Sequence, residues 1–490
     1  MKFINRIICY SAVGLLVLPM QESVLAKSWF RPLSLEKREA KFNIPQNFSS
    51  AQLKGAISLE EFDSAGSMNW HEFFSDPYLI SLIETALSNN QEFNIFMQDI
   101  EIAKNEVKEK QGEYLPKIGL GFRGSRFNTP DNTFDGVVEK ALDRDNLRHP
   151  NFDLKIGPSL TWEIDTWKKL RNAKEAARMR LMAKYEGRNY LLSRLVAEIA
   201  RNYYELMALD NSLAIMDENI KIQNAAFLKM RELKKYAKSN QLAVNRFEAQ
   251  LLKTKSMRFQ ISQKIVEKEN RLRFLSGIYD EQPIRRDAAK LMEMKVDELQ
   301  VGIPTQLLEY RPDIRQAEYE IKAAKLDLKS LKAYLYPSFT IDASTGFSTF
   351  DPGQIFASGS YSYDTLGTIM TPIINRKAII ARIQIADARQ TQAVLNYEQT
   401  LLQAYTEVLN QMLNIRNLQH SFEAKQREVQ LLDASIDIAN SLFKYAKADY
   451  VEVLLTQEEK LSAQQDLLEL KMNLIGSKVD LYRALGGGWR

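Results

Sequence analysis

The sequence predicts a mainly α-helical chain with a small amount of membrane-type β structure, laid out twice on one plan, and three observations carry that reading. Glycine and proline are scarce, 20 and 14 in 490 residues, and the stretches 159–282 and 373–490 contain no proline at all. Proline breaks a helix interior and glycine weakens one, so the two proline-free tracts read as very long helices. Four short segments alternate apolar and polar residues, which is the period of a strand. The order of these features then recurs at an offset of about 209 positions, with Gly157-Pro158 to Gly277 matching Gly367 to Gly486.

Taken in order, residues 1–26 read as a cleaved secretory signal. Lys2 and Arg6 precede an apolar run from Ile7 to Leu18, and Val24-Leu25-Ala26 supplies the small residues at the cleavage point. Cleavage there removes Cys9, the only cysteine, so disulfides and Cys-ligated metals are not expected. His71, His149 and His420 are too scattered in sequence to suggest a metal site. The 66 basic and 62 acidic residues leave a net charge of +4, which does not suggest a nucleic-acid binder. A mean hydropathy of −0.33 agrees with the lack of any apolar run long enough for a membrane-spanning helix.

The remaining plan is an extended segment at 27–76, a first repeat at 77–277, a linker at 278–303 and a second repeat at 304–490. Each repeat opens on a helical stretch, Pro77 to Tyr114 and Thr305 to Tyr334, stopped by Pro116 and Pro337. A β-hairpin follows, at 117–164 and 338–372. Alternation is strongest at Phe152 to Ile164, where Leu154, Ile156, Leu160 and Trp162 share one face and Lys155, Ser159, Thr161 and Glu163 the other. Ile118, Leu120 and Phe122, and then Phe339, Ile341 and Ala343, repeat the pattern, and Tyr361 to Pro372 is the weakest of the four. Such segments suit strands crossing an outer membrane, and a soluble one-faced sheet is the alternative. Four strands cannot close a barrel, and an open edge in lipid leaves backbone groups unpaired at several kcal/mol each. Three copies would give a twelve-stranded ring.

The proline-free tracts carry coiled-coil-like stripes, among them Leu461, Leu468, Ile475 and Tyr482 at sevens. Trp167 to Lys235 and Arg376 to Lys444 would each extend about 100 Å. Turns are expected near 237 and 446, followed by return helices. Tyr203 and Tyr405 match at a shorter offset, which suggests that the halves differ by one heptad within these helices. Gly119-Leu120-Gly121-Phe122-Arg123-Gly124 fits a dinucleotide-binding pattern, but its glycines fall inside a strand, with no helix opening after it. Gly486-Gly487-Gly488 reads as helix termination in preference to an anion cradle. Carboxylate pairs such as Glu458-Glu459 have no convergent partner, so no catalytic residue, cofactor or metal is assigned and no enzyme is expected.

Three local sequences are familiar. Trp70-His71-Glu72-Phe73-Phe74-Ser75-Asp76-Pro77 resembles the opening motif of outer membrane efflux proteins of the TolC superfamily, in particular the drug- and metal-efflux channel branch. Arg311-Pro312-Asp313-Ile314, continuing to Glu318, is similar to that branch's mid-chain hallmark, and Gly486-Gly487-Gly488-Trp489 to its C-terminal one. The resemblance covers about residue 68 to the end. It implies a homotrimer with a twelve-stranded outer membrane barrel, four strands from each chain, continued into the periplasm by a helical tunnel. It further implies an equatorial belt of small elements, a periplasmic adaptor and an inner membrane pump as partners, and passive export of drugs, metals or other small molecules. The channel of a type I protein secretion system and a soluble periplasmic coiled-coil scaffold are the competing readings.

This chain departs from the pattern in four places. Cys9 lies in no lipobox, so an unlipidated N-terminus is expected. The glycines usual in the tip turns are replaced by Ala237 and Ala446, which suggests a different turn geometry. An acidic residue associated with pore closure corresponds to Leu455, and the glycine at the strand-to-helix junction to Lys168. A gate built from other residues is therefore expected, with Asp449, Glu452 and Arg246 as candidates for a charged constriction. Lys238, Asn240 and Lys447, beside the tip turns, are candidates for adaptor contact.

Overall fold

A computed structural model describes residues 64–141, 151–280, 282–294, 301–373, 375–445 and 447–490. The expected signal segment, Cys9 and Ala446 lie outside the described residues. Eleven α-helices and four strands are present among the described residues. The short helix α1 (Trp70–Phe73) leads to α2 (Pro77–Asn89) and α3 (Gln91–Tyr114). Strand β1 (Lys117–Phe127) is joined through α4 (Phe134–Ala141) to β2 (Asn151–Ile164). Helices α5 (Lys169–Lys235) and α6 (Gln241–Ser276) follow, then the short α7 (Lys290–Glu293) and α8 (Leu307–Tyr310). The second half continues with α9 (Pro312–Ala333), β3 (Ser338–Thr349), β4 (Tyr361–Met370), α10 (Arg376–Lys444) and α11 (Tyr450–Ala484).

Two expected helices are each broken once. The stretch from Pro77 to Tyr114 divides at Asn90, whose side chain accepts from Phe93 N (2.8 Å) and donates to Leu275 O (2.8 Å). This buried amide caps α3 and ties it to the far end of α6, a gain that an uninterrupted helix would forgo. The stretch from Thr305 divides at Arg311, because Pro312 cannot donate to a preceding carbonyl and so opens α9 at its first position. The two long helices contain 67 and 69 residues. They therefore do not differ in length by a heptad, and the offset between Tyr203 and Tyr405 has another origin.

All four strands pair antiparallel in the order β1-β2-β3-β4. Proline is rare in a central strand, because it cannot donate to the ladder. Pro158 sits in one here, and the β2–β3 ladder skips it, resuming at Ser159 opposite Ser344 after Ile156 opposite Phe347. Gly157 makes the detour possible, since a Cβ there would lie 2.0 Å from Thr345 O.

Each strand is continuous with one helix: α3 enters β1, β2 enters α5, α9 enters β3 and β4 enters α10. Those helices pack in the same order as their strands, α3 on α5, α5 on α9, α9 on α10. Farther from the sheet α6 packs on α5, α11 on α10, and α11 on α5. The largest core lies where α1, α2, α5, α6 and α11 meet, around Trp70, Phe74, Ile83, Tyr203, Leu272, Ile475 and Tyr482.

Candidate functional site

The sheet has two faces of opposite character. The register aligns Ile118 with Leu160 and Ala343, and Phe122 with Ile156 and Phe347, so the apolar positions of neighbouring strands fall on one face. That face is open: Leu120 is 82% exposed, and Ile118, Phe122, Tyr363 and Ile369 are also well exposed. Ordinary cores bury such residues, and each fully buried one contributes about 1.5–3 kcal/mol. The opposite face carries charge. Lys155 Nζ lies 2.9 Å from Asp364 Oδ1, Thr161 Oγ1 donates to Asp342 at 2.8 Å, and Ser344 donates to Asp364. Within the described residues β1 and β4 are the edges of this sheet, each paired on one side only.

The junction below the sheet is rigidly made. Asp165 accepts from Leu170 N (3.1 Å) and Arg171 N (2.9 Å), and the Arg171 guanidinium returns to its side chain and carbonyl. Burial alone would raise the Asp165 pKa, but these N–H groups and the guanidinium outweigh it and hold the carboxyl below its ordinary value. Lys168 takes the left-handed conformation, φ 58°, in place of the expected glycine. Trp167 donates to Pro337 O (2.8 Å) and stacks on Tyr336, and Trp162 donates to Tyr114 O (3.3 Å). Indoles with one apolar side and one bonded N–H suit a membrane–water boundary.

The hallmark residues converge on anchoring contacts. Arg311 is 4% exposed and its guanidinium makes four hydrogen bonds, bidentate to Asp313 (3.0 and 2.7 Å) and donating to Glu407 (2.9 Å) and Ala484 O (2.8 Å). Burial works against its charge, but the two carboxylates outweigh burial and raise its pKa. Glu407 also accepts from Arg483. Sequence reasoning missed Glu407; its one signal is a carboxylate between Ala404 and Val408 on a buried helix face. Asp76 caps α2 through Tyr78 N (2.9 Å), and its other oxygen accepts from the buried Tyr203 hydroxyl (2.8 Å). Trp70 is buried against the His71 ring. Glu318 makes an exposed pair with Lys322 at 2.8 Å. At the C-terminus Gly486 (φ 97°) closes α11, and a Cβ there would lie 2.5 Å from Tyr310 C and O. A Cβ on Gly487 would strike the Tyr482 ring, Gly488 also has positive φ, and Trp489 donates to Tyr310 O at 3.1 Å. These glycines permit close packing and terminate the helix.

At the other end of the helices the first turn corrects an expectation. Ala237 adopts φ 55°, with Lys238 N bonded to Leu233 O (2.9 Å) and Ala237 N to Lys234 O (3.0 Å). This is the glycine-type Schellman turn, kept without glycine at a cost of about 1–2 kcal/mol. The six-residue hydrogen-bond frame outweighs the steric preference of alanine. In the second turn Lys447 N bonds Leu442 O (2.9 Å), the equivalent closing bond.

Asn240 caps α6 through Ala243 N (2.9 Å), and Asp449 accepts from Tyr450 N (2.6 Å) at the start of α11. Phe443, Tyr450 and Leu454 of the second turn pack on Met230, Val244 and Phe247 of the first, so the structure brings the two turns together. Arg246, Lys238, Lys447, Asp449 and Glu452 are all exposed there. No ion pair joins Arg246 to Asp449 or Glu452 among the described residues. Glu452 and Leu455 line a groove of about 290 Å³ with Ile438 and Leu442.

Comparison with known proteins agrees with this geometry. The chain is 26% identical over 447 residues to a probable outer membrane lipoprotein, SilC, of Salmonella typhimurium, covering 91% of this chain and 93% of SilC. It is likewise 26% identical over 447 residues to the cation efflux system protein CusC of Escherichia coli O6:H1, with the same coverage. Its fold matches the crystal structure of the open state of the Neisseria gonorrhoeae MtrE outer membrane channel with a TM-score of 0.79 at 20% identity, over 93% of this chain and 97% of that one. The family model for outer membrane efflux proteins matches residues 82–278 and 303–487, and the chain therefore belongs to the outer membrane efflux protein family.

Proposed function

We propose that this chain is the outer membrane exit duct of a tripartite efflux system, passively conducting small molecules handed to it by an inner membrane pump through a periplasmic adaptor. The observation that carries this is the inverted sheet, with its exposed apolar face, its charged opposite face and its two open edges. A sheet of that kind is stable in lipid only when the edges are closed by further copies, and three copies give a twelve-stranded barrel whose charged face lines water. The strand-by-strand passage into α3, α5, α9 and α10 extends the same wall below the membrane.

The printed name of CusC supports cations as one cargo class. The relation between the two halves supports an internal repeat, with turns at 237 and 446 as the two tips. Lys238, Asn240 and Lys447 are assigned to adaptor contact on their exposure at those tips. Asp449, Glu452 and Arg246 are assigned to the constriction, although Asp449 also serves as a helix cap. SilC is named a lipoprotein; for this chain, in which Cys9 has no lipobox around it, we assign an unlipidated N-terminus.

The deciding experiment is extraction and reconstitution. The protein is expected in the outer membrane fraction, to migrate as a heat-modifiable trimer and to conduct in planar bilayers. Replacing Asp449 and Glu452 by Ala together should change conductance or cation selectivity. Recovery of the wild type in the soluble periplasm would overturn the duct; unchanged selectivity would remove the two acids from the constriction.

A further inference from the structure

Helices α5, α6 and α11 run side by side between the main core and the tips, and their register is set by several contacts. Asp217 pairs with Arg258 (2.5 Å), Glu205 with Lys268 (2.6 Å), and Ser212 with Gln465, while Met216 packs with Ile261 and Leu461. Continued toward the tips, this register sets Gln223 of α5 opposite Thr254 of α6, with Gln457 of α11 within about one helical turn of the same level. All three are buried, Gln223 to 2% exposure. Thr254 Oγ1 is occupied by Gln250 O at 3.1 Å. Neither Nε2 nor Oε1 of Gln223, nor Oε1 of Gln457, meets a protein partner.

The layer interrupts the apolar packing. Above it lies the cluster of Met216, Ile261 and Leu461, and below it the separate tip cluster of Met230, Val244 and Phe247. Lys253 pairs with Glu458 beside it. A buried amide left unbonded costs about 1–3 kcal/mol, and each glutamine offers two donors and an acceptor oxygen with two lone pairs. Water is the ligand that fits such a site, since it bonds to two to four polar groups at once. A layer held through water is also weaker than the apolar layers on either side.

We infer that Gln223, Thr254 and Gln457 form a hydrated polar layer, with ordered water bridging the two glutamines, at which the tip segments bend independently of the coil above. The bending and hydration stand without the channel reading; only their consequence, tip opening, rests on it.

Three measurements on the full chain in detergent or lipid test this. A map that resolves ordered solvent should show water between Gln223 and Gln457; direct amide-to-amide contact with no water overturns the proposal. In the Q223L/Q457L double variant, hydrogen exchange of tip residues 226–250 and 447–456 should slow about tenfold, while the core around 195–207 stays unchanged. Tip exchange that is unchanged or faster overturns it. Should the double variant fail to fold, Gln223→Met, close in length and unbranched, is expected to slow tip exchange about threefold, and faster exchange again counts against the layer. In planar bilayers the double variant should open less often. If the wild type does not conduct at all, the duct reading fails while the exchange and solvent results still decide the layer.

Discussion

The sheet and the Arg311 anchor invert each other. In the sheet, Leu120 and Phe122 stand open along one face; at the anchor, a guanidinium is buried with its hydrogen bonds made. In water both arrangements would be unfavourable, the first by exposing apolar area and the second by desolvating charge. The difference teaches that the two regions answer to different solvents. In the duct proposed above the apolar face would be satisfied by lipid, whereas the anchor must satisfy itself, which it does with two carboxylates and the Ala484 carbonyl of the C-terminal turn. A chain that spans both environments is legible from this contrast alone.

The contrast can be broken first at the anchor. Arg311→Ala leaves Asp313 and Glu407 partly buried and without this partner, and should destabilise by about 3–5 kcal/mol, read as loss of folded, extractable protein and a lower melting temperature. A change within the error of melting would mean that the cluster is solvated and not an anchor. The sheet offers the next largest effect. Leu160→Arg, on the apolar face between Ile118 and Ala343, should cost about 2–4 kcal/mol in a bilayer and reduce the protein recovered in the outer membrane. Ser159→Arg, one position along and on the charged face, should be tolerated; equal losses from both would remove the two-faced reading.

Smaller effects sharpen the helix ends. Lys168 and Ala237 are the two non-glycine residues with positive φ among the described residues. Ala237→Gly and Lys168→Gly should each stabilise locally by about 0.5–1 kcal/mol, seen as slower exchange at the turn or the junction, and faster exchange would show that neither backbone is strained. The least effect is expected at Asp165. Its folded pKa lies below the ordinary value, so its contribution is fully present above the unfolded pKa and is lost as pH falls through the folded one. Asp165→Asn should therefore flatten the acid limb of stability, with the difference from wild type shrinking below pH of about 4; a constant difference at all pH values would mean that the charge of Asp165 is not involved.

Much of this architecture was legible in advance. Alternation at Phe152 to Ile164 marked β2 because a strand with two unlike faces must sort its residues every second position, and the proline-free tracts marked α5, α6, α10 and α11. The break at Arg311 has a local signal in Pro312, which opens a new helix at its first position, whereas the break at Asn90 was not legible, since it depends on a partner far away in sequence, Leu275. Nor was Glu407, whose role is set by the guanidinium brought to it from 96 positions away.

By itself, then, the sequence determined the local periods: where strands alternate, where helices run without interruption and where they must stop. These follow from sterics and solvent preference acting over a few residues. The closed hydrogen-bond frame of the folded turn decided that Ala237 would hold a glycine's conformation, and tertiary structure alone decided that Gln223 would be buried without a protein partner and that Arg311 would be enclosed by three separate segments. The reason is that a closed hydrogen-bond frame or a packed helix interface sums many contacts, and that sum overrides the preference of any single residue.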